Sequence, residues 1–474
     1  MLKKVKENSE LIDFSYTSDS PGFINLADSL LKELKVTPKH LPRKRLILNA
    51  LITNLVYNYK RGFNTAIPRS ENFYSNLSKR YKLENISHDI TIDLIDRMKQ
   101  QNKYVIEHFK AFKNEFTIAS QYYPSDLLVS IAHPLLKNSM MYLDEECILL
   151  RKRIPVKKAN IQLNTSVHED IMTEESLEAG IEDEGQLTKK HKKILVDYTD
   201  TDYTNSIRKD LKEYNNFRIQ NNVRLHLPGG MFKNKEYFES LRSFSSTDLS
   251  KLKPDENGMY QVPLAPDRLY RIFTQDFDYG GRFYRGFETQ IRKELRPYIT
   301  INSEPTVELD YSSYHIRMLY HLDNKRCPDD PYVVYEGLDL EEGRDYYKTM
   351  VAACLNCTSE SSVLNTMRQY IRKHNLLENF SGLTNNDIKK GLDLLLKHNK
   401  KVSGHFFKGE GLKYHKIDSD IANNILMYFT RLKTPVLVLC VHDSFIVPAN
   451  HKKELKWAMN HFYKAKVRKQ PKIK

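Results

Sequence analysis

Thr306-Val-Glu-Leu-Asp310-Tyr-Ser-Ser-Tyr-His-Ile-Arg317 changes its period midway. Val307 and Leu309 alternate with polar neighbours, the pattern of a strand, and the run after Asp310 reads as a helix carrying Arg317. An Asp at the C-terminal tip of a buried strand projects its carboxylate off the sheet edge into a cleft, where it can hold a divalent cation. A second such place follows in Pro435-Val-Leu-Val-Leu-Cys-Val-His-Asp443-Ser-Phe-Ile-Val-Pro448, where two β-rich runs flank His442-Asp443. It reads as a hairpin with an acid at its turn, 133 residues after Asp310. Two strand-end carboxylates that converge make a minimal two-metal site, with ions about 3.5–4 Å apart clamping an attacking and a leaving oxygen. Mg²⁺ suits such a site because it takes hard oxygen ligands and keeps several waters. A solitary Asp in a turn is more often a backbone cap, so the pair carries the reading and neither acid does alone.

The rest of the 474-residue chain narrows the setting. Lys and Arg number 74 against 60 Asp and Glu, a net charge of +14, which favours polyanionic partners through counterion release. With 40% hydrophobic and 28% charged residues a packed core is feasible, and length alone suggests about three domains. The longest apolar run, Pro435–Val441, is far short of the ~20 residues of a membrane-spanning helix, so no membrane partner is expected. The first residues are charged with no apolar segment behind them, and five cysteines are too few for a disulfide framework. The expectation is an intracellular protein, cytoplasmic or nucleoid-associated.

Residues 1–164 read as a mainly helical domain. Leu46–Tyr59 has helical spacing behind Pro42, and Ser87–Met98 follows with Ser87 and Asp89 as caps. Lys103–Phe112 then alternates as a strand or wing, the order of a winged helix that binds nucleic acid; an ordinary helical domain with a hairpin has the same order. Residues 165–200 segregate acids from lysines, as a linker or insertion does. A helix is expected over Asp202–Val223, residues 201–300 read as a thumb-like, template-contacting region, and 301–474 holds the motifs.

At these motifs the sequence resembles a known superfamily. Leu309-Asp-Tyr-Ser-Ser-Tyr-His-Ile-Arg317 is similar to the first palm motif of family-A DNA polymerases, and Val441-His-Asp-Ser-Phe445 resembles the third, with wording nearer to single-subunit phage-type RNA polymerases. Lys416-Ile-Asp-Ser-Asp-Ile-Ala-Asn-Asn-Ile-Leu-Met427 is similar to the helix preceding that hairpin in both groups. Asp278-Tyr-Gly-Gly-Arg282-Phe-Tyr284 looks like an element that lies beside the template–product duplex in the RNA polymerases. The second palm-and-fingers motif, a helix with Arg and then Lys four residues on, resembles Arg344-Asp-Tyr-Tyr-Lys348, a spacing that puts both cations on one helix face. The likeness runs over roughly residues 270–450.

The resemblance implies an α+β right-hand polymerase, with an antiparallel palm sheet, helical fingers and the helical N-terminal region. Asp310 and Asp443 would hold two Mg²⁺ ions. Lys348 would carry developing phosphate charge and donate a proton to pyrophosphate, while Arg344 would hold the outer phosphates. Arg282, Tyr284, Gln290, Arg317 and His442 would contact duplex or template. Two positions depart from the pattern. Asn356 stands where the family commonly has Tyr, and His315 stands where DNA polymerases carry a Glu that blocks the ribose 2′-hydroxyl and RNA polymerases a small residue. Sugar choice is therefore open at His315.

Other signals are weaker. Cys354-Leu-Asn-Cys357 lacks two further zinc ligands at suitable spacing, and Gly280-Gly281 lacks the GK[ST] of a phosphate-binding loop. The Lys464–Lys474 tail reads as solvated. The expected activity is template-directed nucleotidyl transfer from nucleoside triphosphates to a 3′-hydroxyl, with a DNA template and a DNA product slightly favoured over RNA or primer synthesis. The alternatives are a non-catalytic DNA-binding replication or mobile-element protein on a degenerate polymerase fold, and a two-metal nuclease.

Overall fold

The computed structural model describes residues 9–75, 79–81, 83, 86–109, 119–136, 140–142, 146–155, 191–332, 340–373 and 385–474. They fall into two compact units of mixed α/β structure. One draws on residues up to 146 and on 224–266, the other on the described parts of 147–223 and on 267–474. Most of the segregated-charge stretch at 165–200 lies outside the described residues; from it, His191–Leu195 is a strand.

In the first unit, helix Leu41–Lys60 carries Pro42 in its opening turn, where a missing N–H costs nothing, and buries the run from Ile47 to Val56. Its buried Asn49 and Asn54 act as backbone surrogates. Asn54 accepts from the Asp13 N–H and donates to the Asp13 carbonyl, and Asn49 does the same for Ser18. Helix His88–Lys99 buries Thr91, Leu94, Ile95 and Met98, whereas Ile90 and Ile92 are half-buried. Within Lys103–Phe112 the strand is Val105–Phe109, paired antiparallel with Ser120–Pro124 at the edge of a four-stranded sheet.

The second unit contains the motifs. Strands β1 (Ile148–Pro155), β2 (Tyr270–Thr274) and β3 (Asp276–Tyr284) form a sheet in which β2 pairs parallel with β1 and antiparallel with β3. The β2–β3 ladder shifts register at Phe273, where Gly280 and Gly281 adopt φ of +79° and +82°. A β-carbon on Gly281 would stand 2.5 Å from the Phe273 ring, so the bend needs a glycine there. Helix α1 (Asp202–Arg218) starts with a Thr201/Thr204 capping box. It stops at Arg218 and not at Val223, because Val223-Arg-Leu-His-Leu-Pro228 alternates and buries Leu225 and Leu227 as a strand.

A second, antiparallel sheet holds β4 (Glu304–Asp310), β5 (Leu439–Val441) and β6 (Ser444–Pro448), with β6 in the middle. Around the two sheets lie α2 (Tyr314–Leu322), α3 (Leu340–Asn356), α4 (Gly411–Thr430) and α5 (Lys452–Val467). Helix α4 packs along β3 and against α5. The face of α5 toward the sheet buries Tyr463, which closes an aromatic cluster with Tyr311 and Tyr314, themselves stacked at 4.5 Å. The Tyr311 hydroxyl donates to the Met459 carbonyl, so the residue after Asp310 is anchored to α5.

Candidate active site around Asp310 and Asp443

Antiparallel pairing of β4 with β6 sets Leu309 opposite Phe445 and Asp310 opposite Ser444. The Tyr311 N–H donates to the Asp443 carbonyl at 3.2 Å, so the two acids leave the sheet at the same end. The β5–β6 turn is tight enough to hold His442 at φ +56°, and Ser313 leads into α2 at φ +54°. Desolvation first, and the Asp310 charge second, push the Asp443 carboxyl above its ordinary pKa, with Asp418 adding to the rise; Arg282 and His315 oppose it.

Asp310 has a cationic neighbour that the sequence did not announce. The Lys474 ammonium lies 3.0 Å from its Oδ2. The tail was expected to be solvated, but its last residues pair with the Asp310 end of β4 instead. The Asp310 N–H donates to the Lys474 carbonyl, the Lys474 N–H donates back to Asp310, and Ser312 N–H donates to the Lys472 carbonyl. Backbone pairing, which needs no sequence signal, explains the difference.

A third acid stands behind the pair. Asp418 on α4 is 2% exposed and bridges Arg282 of β3 at 2.7 Å, with His315 Nε2 at 3.4 Å. The Arg282 guanidinium also reaches the His315 ring at 3.2 Å. Arg282, expected on a duplex, thus lies buried in an ion pair, and His315 is held beside it. Desolvation first, then the charges of Arg282, His315 and His442, keep half-buried His415 well below the ordinary imidazole pKa.

The other expected residues are spread more widely. Tyr284 is buried at the end of β3, and Gln290 is exposed at the end of the single turn Phe287–Gln290. Arg317 is buried and donates to the carbonyls of Ser312, Pro328 and Asp329, so it braces the turn after α2. On α3, Arg344 is half-buried and pairs with Asp330 at 2.6 Å, while Lys348 is exposed one turn later. Asn356 ends the helix and lies over Gly411, where a β-carbon would come 1.6 Å from its Oδ1. The structure therefore brings together Asp310, Asp443, Arg282 and His315. Among the described residues no contact joins Lys348, Asn356 or Gln290 to the acids. Sequence reasoning missed Asp418, Asp330 and Lys474 as neighbours of the site. For Asp418 a signal existed in Lys416-Ile-Asp-Ser-Asp420, an acid on the otherwise buried side of an amphipathic helix.

Among the described residues no group of three or more His, Cys, Asp or Glu side chains is arranged to hold a metal ion. The Asp310/Asp443 pair supplies hard oxygen donors only. Its mutual repulsion and the ammonium already placed on Asp310 mark a point where positive charge is favoured, so the donor set fits Mg²⁺. All five cysteines are buried, and none is joined in a disulfide. No helix among the described residues is long and apolar enough to cross a membrane.

No family model matches the sequence, and no curated protein does. Among solved structures, the chain is similar to the POL domain of Pol1 from M. smegmatis in complex with DNA primer-template and dNTP. The identity is 12% and the TM-score 0.27, over 44% of this chain. The match spans 47% of that chain, just under half its length.

Proposed function

We propose that this chain is a template-directed nucleotidyltransferase of right-hand design. In it β4, β5 and β6 form the palm, α3 belongs to the fingers, and the first unit engages nucleic acid. The observation that carries the reading is the register of β4 on β6, which delivers Asp310 and Asp443 to one sheet end and couples their charges. The motif order around them, with a cationic helix between the two acids in sequence, supports it.

In the proposed reaction a 3′-hydroxyl oxygen attacks the α-phosphorus of a nucleoside triphosphate. The new P–O bond forms as the bond to the β-phosphate oxygen breaks; the hydroxyl proton passes to water and pyrophosphate departs. Asp310 and Asp443 would hold two Mg²⁺ ions, whose chemistry when bound is charge neutralisation on phosphate oxygens. Arg344 would bind the outer phosphates and Lys348 would protonate the leaving pyrophosphate. His315, fixed by Asp418 and Arg282, would face the sugar, with a DNA product slightly favoured.

The test is extension of a primed and an unprimed DNA template with dNTPs or NTPs in Mg²⁺. Extension that disappears in Asp310→Ala and Asp443→Ala, with DNA binding retained, supports the proposal. A wild-type chain that binds DNA and incorporates nothing makes it a non-catalytic binding protein. Degradation of labelled DNA without triphosphates makes it a nuclease.

A further inference from the structure

Arg344 is held by two residues outside every motif. Its Nε donates to Asp330 Oδ2 at 2.6 Å, and its guanidinium carbon lies 5.1 Å from the centroid of the Tyr332 ring. The other Asp330 oxygen accepts the Tyr332 backbone N–H at 3.0 Å, which fixes the carboxylate's orientation. The turn itself is stapled down, since Arg317 donates to the Pro328 and Asp329 carbonyls and buried Asn399 donates to the Pro331 carbonyl. Tyr332 is 6% exposed, and the Asp443 charge adds to the rise that burial gives its phenol. Asp443 and Arg344 therefore act electrostatically on the same aromatic side chain.

This seat engages Arg344 through Nε and through its ring-stacked plane. Among the described residues its hydrogen bond runs from Nε and none from the two Nη atoms, which carry four N–H donors, and the side chain is 33% exposed. That is the edge a guanidinium uses for bidentate recognition of phosphate. A long side chain already held in one plane has less freedom left to lose when a ligand arrives.

We propose that Asp330 and Tyr332 are positioning residues that hold the Arg344 guanidinium ready for the phosphates of a nucleoside triphosphate. The inference rests on the nucleotidyltransferase reading above. Asp330 acts only through Arg344 and does not touch the substrate.

The experiment measures KM and kcat for dNTP on a primed template in Mg²⁺, using the full chain and the variants Asp330→Asn, Asp330→Glu, Tyr332→Leu, Arg344→Ala and Asp330→Asn/Arg344→Ala. Asp330→Asn is expected to raise KM roughly ten-fold with a smaller change in kcat, as loss of a charge-assisted contact would. Asp330→Glu recovers most of the loss, and Asp330→Asn adds nothing once Arg344 is gone. Tyr332→Leu, which keeps the ion pair and removes the stacking surface, raises KM in the same direction and carries the test if Asp330→Asn does not fold. An unchanged or lowered KM in Asp330→Asn, or losses that multiply in the double variant, overturns the inference and leaves the nucleotidyltransferase reading standing. A wild-type chain that neither binds dNTP nor extends any primer overturns both.

Discussion

Asp443 and Asp310 meet one residue out of step: Asp310 pairs with Ser444, while the Asp443 carbonyl accepts the N–H of Tyr311. This offset places two like charges at one sheet end, and burial first, then the Asp310 charge, raise the pKa of Asp443. A carboxyl whose folded pKa is raised binds more protons folded than unfolded, so its ionisation lowers stability as pH climbs through that folded pKa. Asp443→Asn is therefore expected to stabilise the metal-free chain at neutral pH by about 1 kcal/mol and to abolish nucleotide incorporation. Thermal unfolding without Mg²⁺ checks the first half and primer extension the second; added Mg²⁺ should raise the wild-type midpoint and leave that of the variant unmoved.

The two cations of α3 should separate kinetically. Lys348 is exposed, so Lys348→Ala should alter stability by no more than about 0.5 kcal/mol while lowering kcat. Arg344→Ala should act mainly on triphosphate KM. Steady-state kinetics on a primed template tells them apart.

Arg282 and His315 share one Asp418 oxygen, and substitutions at Asp418 and His315 should differ in consequence. Asp418→Ala removes the 2.7 Å ion pair from the buried Arg282 guanidinium, at a cost of roughly 3–5 kcal/mol. His315→Ala removes a partly exposed ring and should change the dNTP-to-NTP incorporation ratio with little loss of stability. Urea unfolding of the first and competitive incorporation by the second are the measurements.

Acid should weaken the second unit through its histidines. Burial, then the charges of Arg317 and Lys469, lower His321 to about 4, and its Nδ1 lies 2.9 Å from the Tyr463 hydroxyl. A His with a depressed folded pKa is protonated first in the unfolded chain, so the stability present above the ordinary value of about 6.5 is lost as pH falls toward 4. The urea midpoint should fall steeply over that window, and His321→Gln should flatten the fall.

Gly281→Ala tests the bend in β3. The new methyl would meet the Phe273 ring at a backbone φ that side chains rarely adopt, and a loss of about 1–3 kcal/mol is expected from thermal unfolding.

The placement of Asp310 at a strand end and of Asp443 in a hairpin turn was legible because Asp310 ends an alternating run and Asp443 sits between two β-rich apolar runs that are buried throughout. The Arg344/Lys348 helix was legible from spacing. The surroundings were not. Asp418 finds Arg282 across 136 residues, and Asp330 sits in a Pro-Asp-Asp-Pro-Tyr turn that reads only as a loop. Lys474 approaches Asp310 through main-chain pairing, to which side-chain pattern is blind. Periodicity reports which way a residue faces and says nothing of which distant charge it will meet.

The 133 residues between the two acids bear on synthesis. A ribosome must deliver β6 before Asp310 gains its companion, so under the proposed function a nascent chain stopped short of that hairpin would be inert toward nucleotides. Pairing β4 with β6 closes a loop of that length, and contacts of such high sequence separation form slowly. Activity should lag behind the compaction of the first unit when the full chain is refolded from denaturant.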